Sequence, residues 1–174
     1  GAFMKNLRKR DGMGAYALEF AILTAARSGE VRFATWDEMD FDAKVWTIPG
    51  ERMKMGKEHR VPLSDDAVRL LKKIPRLEGS PYVFPAVRGG AISDMTISAV
   101  CRRMKVDAVP HGFRSTFRDW CAENTNFPRE VAEMALAHTI ENATEAAYRR
   151  GDLFMKRRRL MDAWAEFCNT IQEK

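Results

Sequence analysis

The chain has 174 residues, with 29 Lys and Arg against 24 Asp and Glu for a net charge of +5, and is 45% hydrophobic and 10% aromatic. That is one domain's length of chain, apolar enough to build a core, which excludes a disordered tail. The longest apolar region, residues 15–26, is interrupted by Glu19 and Thr24 and falls short of the ~18 residues of a membrane span, which excludes a membrane protein.

Three scattered cysteines, Cys101, Cys121 and Cys168, form neither a disulfide framework nor a zinc-ligand pattern. They fit a reducing, cytoplasmic setting. The chain starts at Gly1 without a signal peptide, and Gly1-Ala2-Phe3-Met4 is expected to be a cloning junction on a piece of something longer. Residues 4–11, basic and polar, predict a lead-in linker, so residues 1–12 are set apart from a single domain over 13–174. From Met13 onward, Tyr16, Leu18, Phe20, Ile22, Leu23 and Ala26 predict a buried, alanine-rich helix ending near Ser28-Gly29. Residues 30–36 carry Val31, Ala34 and Thr35 at helical spacing and predict a short helix that turns at Trp36-Asp37-Glu38.

Residues 44–48 alternate and are rich in β-formers, Pro49-Gly50 breaks the strand, and residues 60–63 return after a loop around Lys54-Met55-Gly56. The pair predicts a small antiparallel sheet with an exposed, basic turn. Ser64 caps a helix over 65–73, with aspartates in its first turn and lysines in its last, as the helix dipole prefers. A loop over 75–90 surrounds a short strand at 82–84, and Ser93 opens a helix to 104. Pro110 leads into a helix over 111–124, with Phe113, Phe117, Trp120 and Cys121 on one face. Pro128 starts another helix to about 137, and 152–168 reads as a long amphipathic helix with Leu153, Leu160, Trp164 and Phe167 inward. The expected fold class is mainly α with a small antiparallel β-sheet.

The charge is unevenly spread. Residues 149–160 read RRGDLFMKRRRL, six cations against Asp152, so this run carries the whole +5 and the other 162 residues sum to zero. Such a run is either a solvated helix face or a nucleic-acid contact.

Five places carry side chains capable of chemistry, each open to a purely structural reading as well. His111 and Arg114 stand three apart at a helix start, where free N–H groups and the dipole favour an anion and the planar guanidinium matches a phosphate. His138 ends the helix that begins at Pro128. Arg27 closes an apolar helix, where a charge must be paired or face a cleft, and Glu30 is positioned to hold it or to orient a histidine. Lys54 stands in the turn between the two strands. Tyr16 and Tyr82 belong to apolar patterns and are expected in the core, whereas Tyr148 precedes Arg149-Arg150, the setting a tyrosine nucleophile requires.

In order, the chain carries Thr24-Ala25-Ala26-Arg27-Ser28-Gly29-Glu30, Met53-Lys54-Met55-Gly56-Lys57 with Arg60-Val61-Pro62-Leu63, His111-Gly112-Phe113-Arg114, Leu136-Ala137-His138-Thr139 and Ala147-Tyr148. Together these resemble the catalytic domain of the tyrosine recombinases, the phage-type integrases in particular, over residues 18–168. The resemblance implies that family's catalytic-domain fold and DNA strand cleavage and rejoining through a 3′-phosphotyrosyl intermediate, without metal, ATP or another cofactor. It implies Arg27 and Arg114 as the arginines on the phosphate, Lys54 as general acid to the leaving 5′-oxygen, His111 and His138 as the two histidines, Tyr148 as nucleophile and Glu30 as support. The implied partners are double-stranded DNA attachment sites, other protomers in a tetramer and DNA-bending accessory proteins, in a bacterial, nucleoid-associated location. Family members carry a DNA-binding domain ahead of the catalytic one, and residues 1–12 are too short to hold it. A type IB topoisomerase shares this chemistry, and a non-catalytic DNA-binding module would use the basic run alone. A metal-dependent nuclease would need clustered carboxylates, and Asp37, Glu38, Asp40 and Asp42 read as a solvated turn.

Overall fold

Helix α2, Met13–Thr24, forms the axis of the fold because it is apolar on nearly every side, with ten of its twelve residues buried. A helix without a polar face has to be covered all round. The computed structural model, which describes residues 1–138 and 151–171, surrounds it with α1 (Ala2–Leu7), α3 (Ser28–Arg32), α4 (Asp65–Lys73), α5 (Asp94–Arg103) and α8 (Phe154–Asn169). Helices α6 (Gly112–Asn124) and α7 (Arg129–Ala135) pack on each other, and α7 packs on α8. A Cβ at Gly14 would stand 2.8 Å from the Thr96 carbonyl oxygen, so glycine is what lets α5 lie this close to α2.

The predicted linker is corrected. Residues 2–7 are helical, Met4 and Leu7 are buried, and Arg8 pairs with the buried carboxylate of Glu19 while donating to Asn169 Oδ1 at 2.7 Å. Apolar spacing of three between Met4 and Leu7 is enough to seat one helical face, and the flanking cations hide it in a composition reading.

Helix α2 stops four residues before the predicted end. Thr24 turns its hydroxyl back onto the Phe20 carbonyl at 2.6 Å, Ala25 adopts the left-handed region at φ 51, and Arg27 is extended. Glu30 then accepts from the Arg27 N–H at 2.8 Å and caps α3, which therefore starts at Ser28 and ends at Arg32, before the predicted 36.

The sheet has three antiparallel strands in the order β1 (Met39–Asp40), β2 (Val45–Ile48), β3 (His59–Pro62), with Trp46 opposite Val61 and Ile48 opposite His59. The first strand lay unrecognised in the predicted turn, being two residues long. Glu38 beside it is not solvated: its Oε2 accepts from Trp46 Nε1 at 2.8 Å and from Arg52 Nη2 at 2.6 Å. Residues 82–84 make no strand; Tyr82 and Pro85 form single bridges to Thr35 and Ala91. Tyr16 and Tyr82 are both half-buried rather than core, and the Tyr16 hydroxyl donates to Asp11 at 3.1 Å.

Ser64 and Ser93 cap α4 and α5 as predicted, accepting from Ala67 N and Thr96 N. Phe20 joins Trp46 and Phe84 at centroid distances of 5.2 and 5.6 Å, and Trp164 of α8 meets Phe117 edge-on at 5.2 Å and Trp120 at 5.1 Å. Trp164 Nε1 also donates to the Ile22 carbonyl at 2.7 Å, tying α8 to the end of α2 in its own chain. All three cysteines are free and buried, and burial pushes the Cys121 and Cys168 thiols up to about 12. No helix among the described residues is long and apolar enough to cross a membrane.

Candidate active site

Two helix ends, those of α2 and α7, build the floor of the site. Both terminate through an alanine in the left-handed region, Ala25 at φ 51 and Ala137 at φ 49, and both present carbonyl oxygens there. After α7 the His138 N–H returns to the Glu133 carbonyl at 2.9 Å and the Ala137 N–H to that of Met134 at 3.1 Å, the six-to-one and five-to-two bonds of a Schellman ending.

Arg114, in the first turn of α6 and only 5% exposed, donates from Nη1 to the Ala25 carbonyl and from Nη2 to the Leu136 carbonyl at 2.8 Å. One guanidinium thus joins the negative ends of two helices. Burial, and then the charge of Arg27, bring its pKa down to about 10, with Glu30 opposing; it stays charged at neutral pH.

Arg27 follows the end of α2 and donates from Nη1 to Glu30 Oε1 at 2.7 Å, with its side chain 30% exposed and that of Glu30 7% exposed. Of the two tasks open to Glu30, it performs the first and holds Arg27. A histidine-orienting carboxylate exists, but it is Glu133. Its Oε2 lies 2.7 Å from His138 Nδ1, its Oε1 accepts from Arg118 Nε at 2.9 Å, and His138 Nε2 is left 3.4 Å from Arg114 Nη2. Burial works to raise the Glu133 carboxyl, and the hydrogen bonds from His138 and Arg118 outweigh it, holding the group below its ordinary range. Glu133 was missed because its relation to His138, five residues on, exists only through the Schellman turn.

Lys54 reaches this floor from the side. Between β2 and β3 the chain makes a short 3-10 turn over Gly50–Arg52, buries Met53, and turns again with the Gly56 N–H on the Met53 carbonyl at 2.9 Å. A Cβ at Gly50 would stand 2.6 Å from the Gly56 carbonyl oxygen, so the hairpin closes on itself only with glycine there. Lys54 is exposed and lines an open cleft of about 500 Å³ together with Arg27, Lys57, Arg60, Arg157, His59 and His138, against Glu58 and Asp152. A concave wall with five Lys and Arg facing two carboxylates attracts an anion.

The structure therefore brings together Arg27, Glu30, Arg114, His138 and Lys54. His111 stands exposed at the N-cap of α6, and the Arg114 side chain three residues on turns inward to the two helix ends; neither is among the residues that line the cleft. Tyr148 lies outside the described residues. His59, absent from the sequence reading, lines the cleft from the first position of β3; burial first, then Arg157, bring it down to about 4, so its ring is neutral at pH 7.

The basic run is also corrected. Arg157 is buried and Arg158 donates to the Ala43 carbonyl at 2.7 Å, which leaves Lys156 and Arg159 as its exposed cations among the described residues. Spacing alone does not distinguish a cation that points to solvent from one that closes a helix onto a sheet.

Comparison with known proteins agrees with this architecture. Residues 2–153 match the Phage integrase family. The chain is 37% identical over 150 residues to Prophage integrase IntA of Escherichia coli K12, covering 83% of this chain and 36% of that protein. It is 34% identical over 182 aligned positions to the Integrase of Enterobacteria phage P4, covering 93% of this chain and 42% of that protein. The chain thus spans less than half the length of these relatives. Among solved structures, the Integrase from mycobacterium phage Brujita superposes with a TM-score of 0.71 at 18% identity, covering 94% of this chain and 55% of that one. A lambda integrase (75-356) dimer bound to a COC′ core site gives a TM-score of 0.57 at 19% identity, covering 86% of this chain and 56% of that one. With the family matched over most of its length, and a mainly helical fold carrying a small three-stranded sheet in common with these structures, the chain belongs to the phage integrase family.

Proposed function

We propose that this chain is the catalytic part of a site-specific DNA recombinase that integrates and excises phage or prophage DNA. Tyr148 attacks a phosphodiester, forming a 3′-phosphotyrosyl bond and releasing a 5′-hydroxyl; attack by a 5′-hydroxyl from another strand then reverses the exchange. The phosphodiester is replaced by a phosphotyrosyl ester of similar energy, so ATP is not required.

The observation that carries this reading is one cationic cleft lined by Arg27, His138 and Lys54, each held by a different element, with the buried Arg114 3.4 Å behind His138 Nε2. The pentacoordinate phosphate gains negative charge, and donors already fixed in place stabilise it best. Arg27, held on Glu30, supplies a planar fork that lysine does not match. Arg114 adds a buried positive charge beneath it, and His138, oriented through Nδ1 by Glu133, presents Nε2. Lys54 delivers the proton to the leaving 5′-oxygen, and His111 serves as acid–base partner of the nucleophile.

The partner is double-stranded DNA carrying an attachment site, with further protomers assembling on it as a tetramer and accessory proteins bending it. The named lambda integrase structure, a dimer on a core site, is consistent with such an assembly. The test incubates the chain and Tyr148→Phe with nicked candidate attachment sites and separates products on a denaturing gel. A protein–DNA adduct from the parent and none from Tyr148→Phe is expected; an adduct that survives the substitution removes Tyr148 from the role.

A further inference from the structure

The most heavily used cation on the cleft wall is the one that faces inward. Arg157, in the first turn of α8, is 1% exposed, yet all three of its guanidinium nitrogens are engaged. Nε donates to the Asp152 carbonyl at 2.7 Å, Nη2 to Asp152 Oδ2 at 2.8 Å, and Nη1 to the Arg60 carbonyl at 2.6 Å. Asp152 is held again by the Phe154 N–H at 3.1 Å and lies 3.5 Å from Arg60 Nη1, while the Arg60 guanidinium covers the Phe154 ring at 4.2 Å.

The two segments joined by this knot are the start of α8 and the second residue of β3. Strand β3 is the return arm of the hairpin whose tip bears Lys54, and residues 54–58 at that tip are all exposed. The tip has Met53 buried at its near side and the β2 ladder at its base; the Arg157 bond to the Arg60 carbonyl, with the Arg60 contacts to Asp152 and Phe154, ties that arm to the start of α8. A planar fork that spans two backbone segments fixes their separation in a way a single-point ammonium does not.

We propose that Arg157 is a positioning residue for Lys54: with Asp152 it locks the hairpin's return strand to the start of α8 and so sets where Lys54 stands over the cleft. The proposal rests on the reading of Lys54 as general acid given above.

Two measurements test it. Hydrogen exchange on the free chain needs no DNA: Arg157→Met, and the milder Asp152→Ala if the first variant fails to fold, are expected to speed exchange of the Met53 and Gly56 amides about tenfold, with α2 and α5 unchanged. Unchanged exchange at those amides overturns the anchor. The second measurement is single-turnover adduct formation on a nicked duplex, with an ordinary phosphodiester or a bridging 5′-phosphorothiolate, whose leaving group needs no protonation. Either variant is expected to slow the phosphodiester reaction by about 10- to 100-fold, as a displaced catalytic group does. The loss should vanish on the phosphorothiolate and in a Lys54→Ala background, and Arg157→Lys should recover part of the rate.

A purely architectural Arg157 gives the same loss with both leaving groups and in both backgrounds, and that result overturns the proposal. If Lys54→Ala itself is indifferent to the leaving group, the general-acid reading has failed, and exchange at the hairpin still decides the anchor.

Discussion

Arg114 illustrates how a single residue joins the fold to the proposed chemistry. Its guanidinium satisfies Ala25 and Leu136, carbonyls from two helix ends 111 residues apart in the chain, and lies against His138. Lysine keeps the charge but reaches one carbonyl at a time and leaves the other buried without a donor. Arg114→Lys is therefore expected to lower stability by about 2 kcal/mol, read from urea midpoints. Equal midpoints would show that the two carbonyls find other donors. Glu133 acts one step further out. Removing its charge while keeping its shape weakens the hold on His138 Nδ1, and Glu133→Gln is expected to slow adduct formation about tenfold without changing DNA affinity. A loss of affinity instead would place Glu133 in the folding of α7 alone. Neither relation was legible in the sequence, because each depends on where a helix ends. Arg27 with Glu30 was legible, being a pair three residues apart at a helix start.

At the scale of elements, the helices with chemical start signals were read correctly. Ser64 and Ser93 cap their helices, and α4 carries Asp65 and Asp66 at one end with Lys72 and Lys73 at the other. Endings were read less well, since both site-forming ends use alanine where the left-handed conformation favours glycine. That conformation strains a side chain with a Cβ, so Ala137→Gly is expected to raise the urea midpoint, by roughly 0.5–1 kcal/mol, with adduct formation retained. A lower midpoint would mean that the Ala137 methyl contributes more in packing than its backbone costs. The hairpin is the opposite case: Pro49-Gly50 and Gly56 announced a turn, and Gly50 is required there by the approach of the Gly56 carbonyl.

Over the whole molecule, acid stability follows from the cleft. His59 is brought down by burial first and by Arg157 and Arg27, with Glu30 opposing and the Ala135 backbone favouring the protonated form. The unfolded chain takes up this proton near 6.5 and the folded chain only near 4, so the stabilisation is complete above about pH 6.5 and is lost as the pH falls toward 4. For a half-buried group the loss is on the order of 2 kcal/mol after discounting for solvent screening. Glu133, held below its ordinary range, adds a second loss in the same direction, beginning lower, below about pH 4.5. Urea midpoints between pH 7 and pH 4.5 are expected to fall for the parent and to flatten in His59→Gln; parallel slopes would remove His59 as the cause.

By itself the sequence determined the fold class, the capped helices, the hairpin and the family, because these rest on local periodicity, turn chemistry and ordered motifs. It also concentrated the +5 in one run, though it did not determine what that run does. Only the tertiary structure decided that α1 is a helix of the core rather than a linker, that Glu133 and not Glu30 orients His138, and that Arg157 faces inward while Lys156 faces out. Each of these depends on contacts that folding creates: the Arg8–Glu19 pair, the turn that brings His138 back onto Glu133, and the Arg60 carbonyl 97 residues from Arg157, none of which sequence spacing specifies. The cationic cleft is assembled from separated helix ends and one hairpin, so its charge is spread along the chain and gathered only by folding.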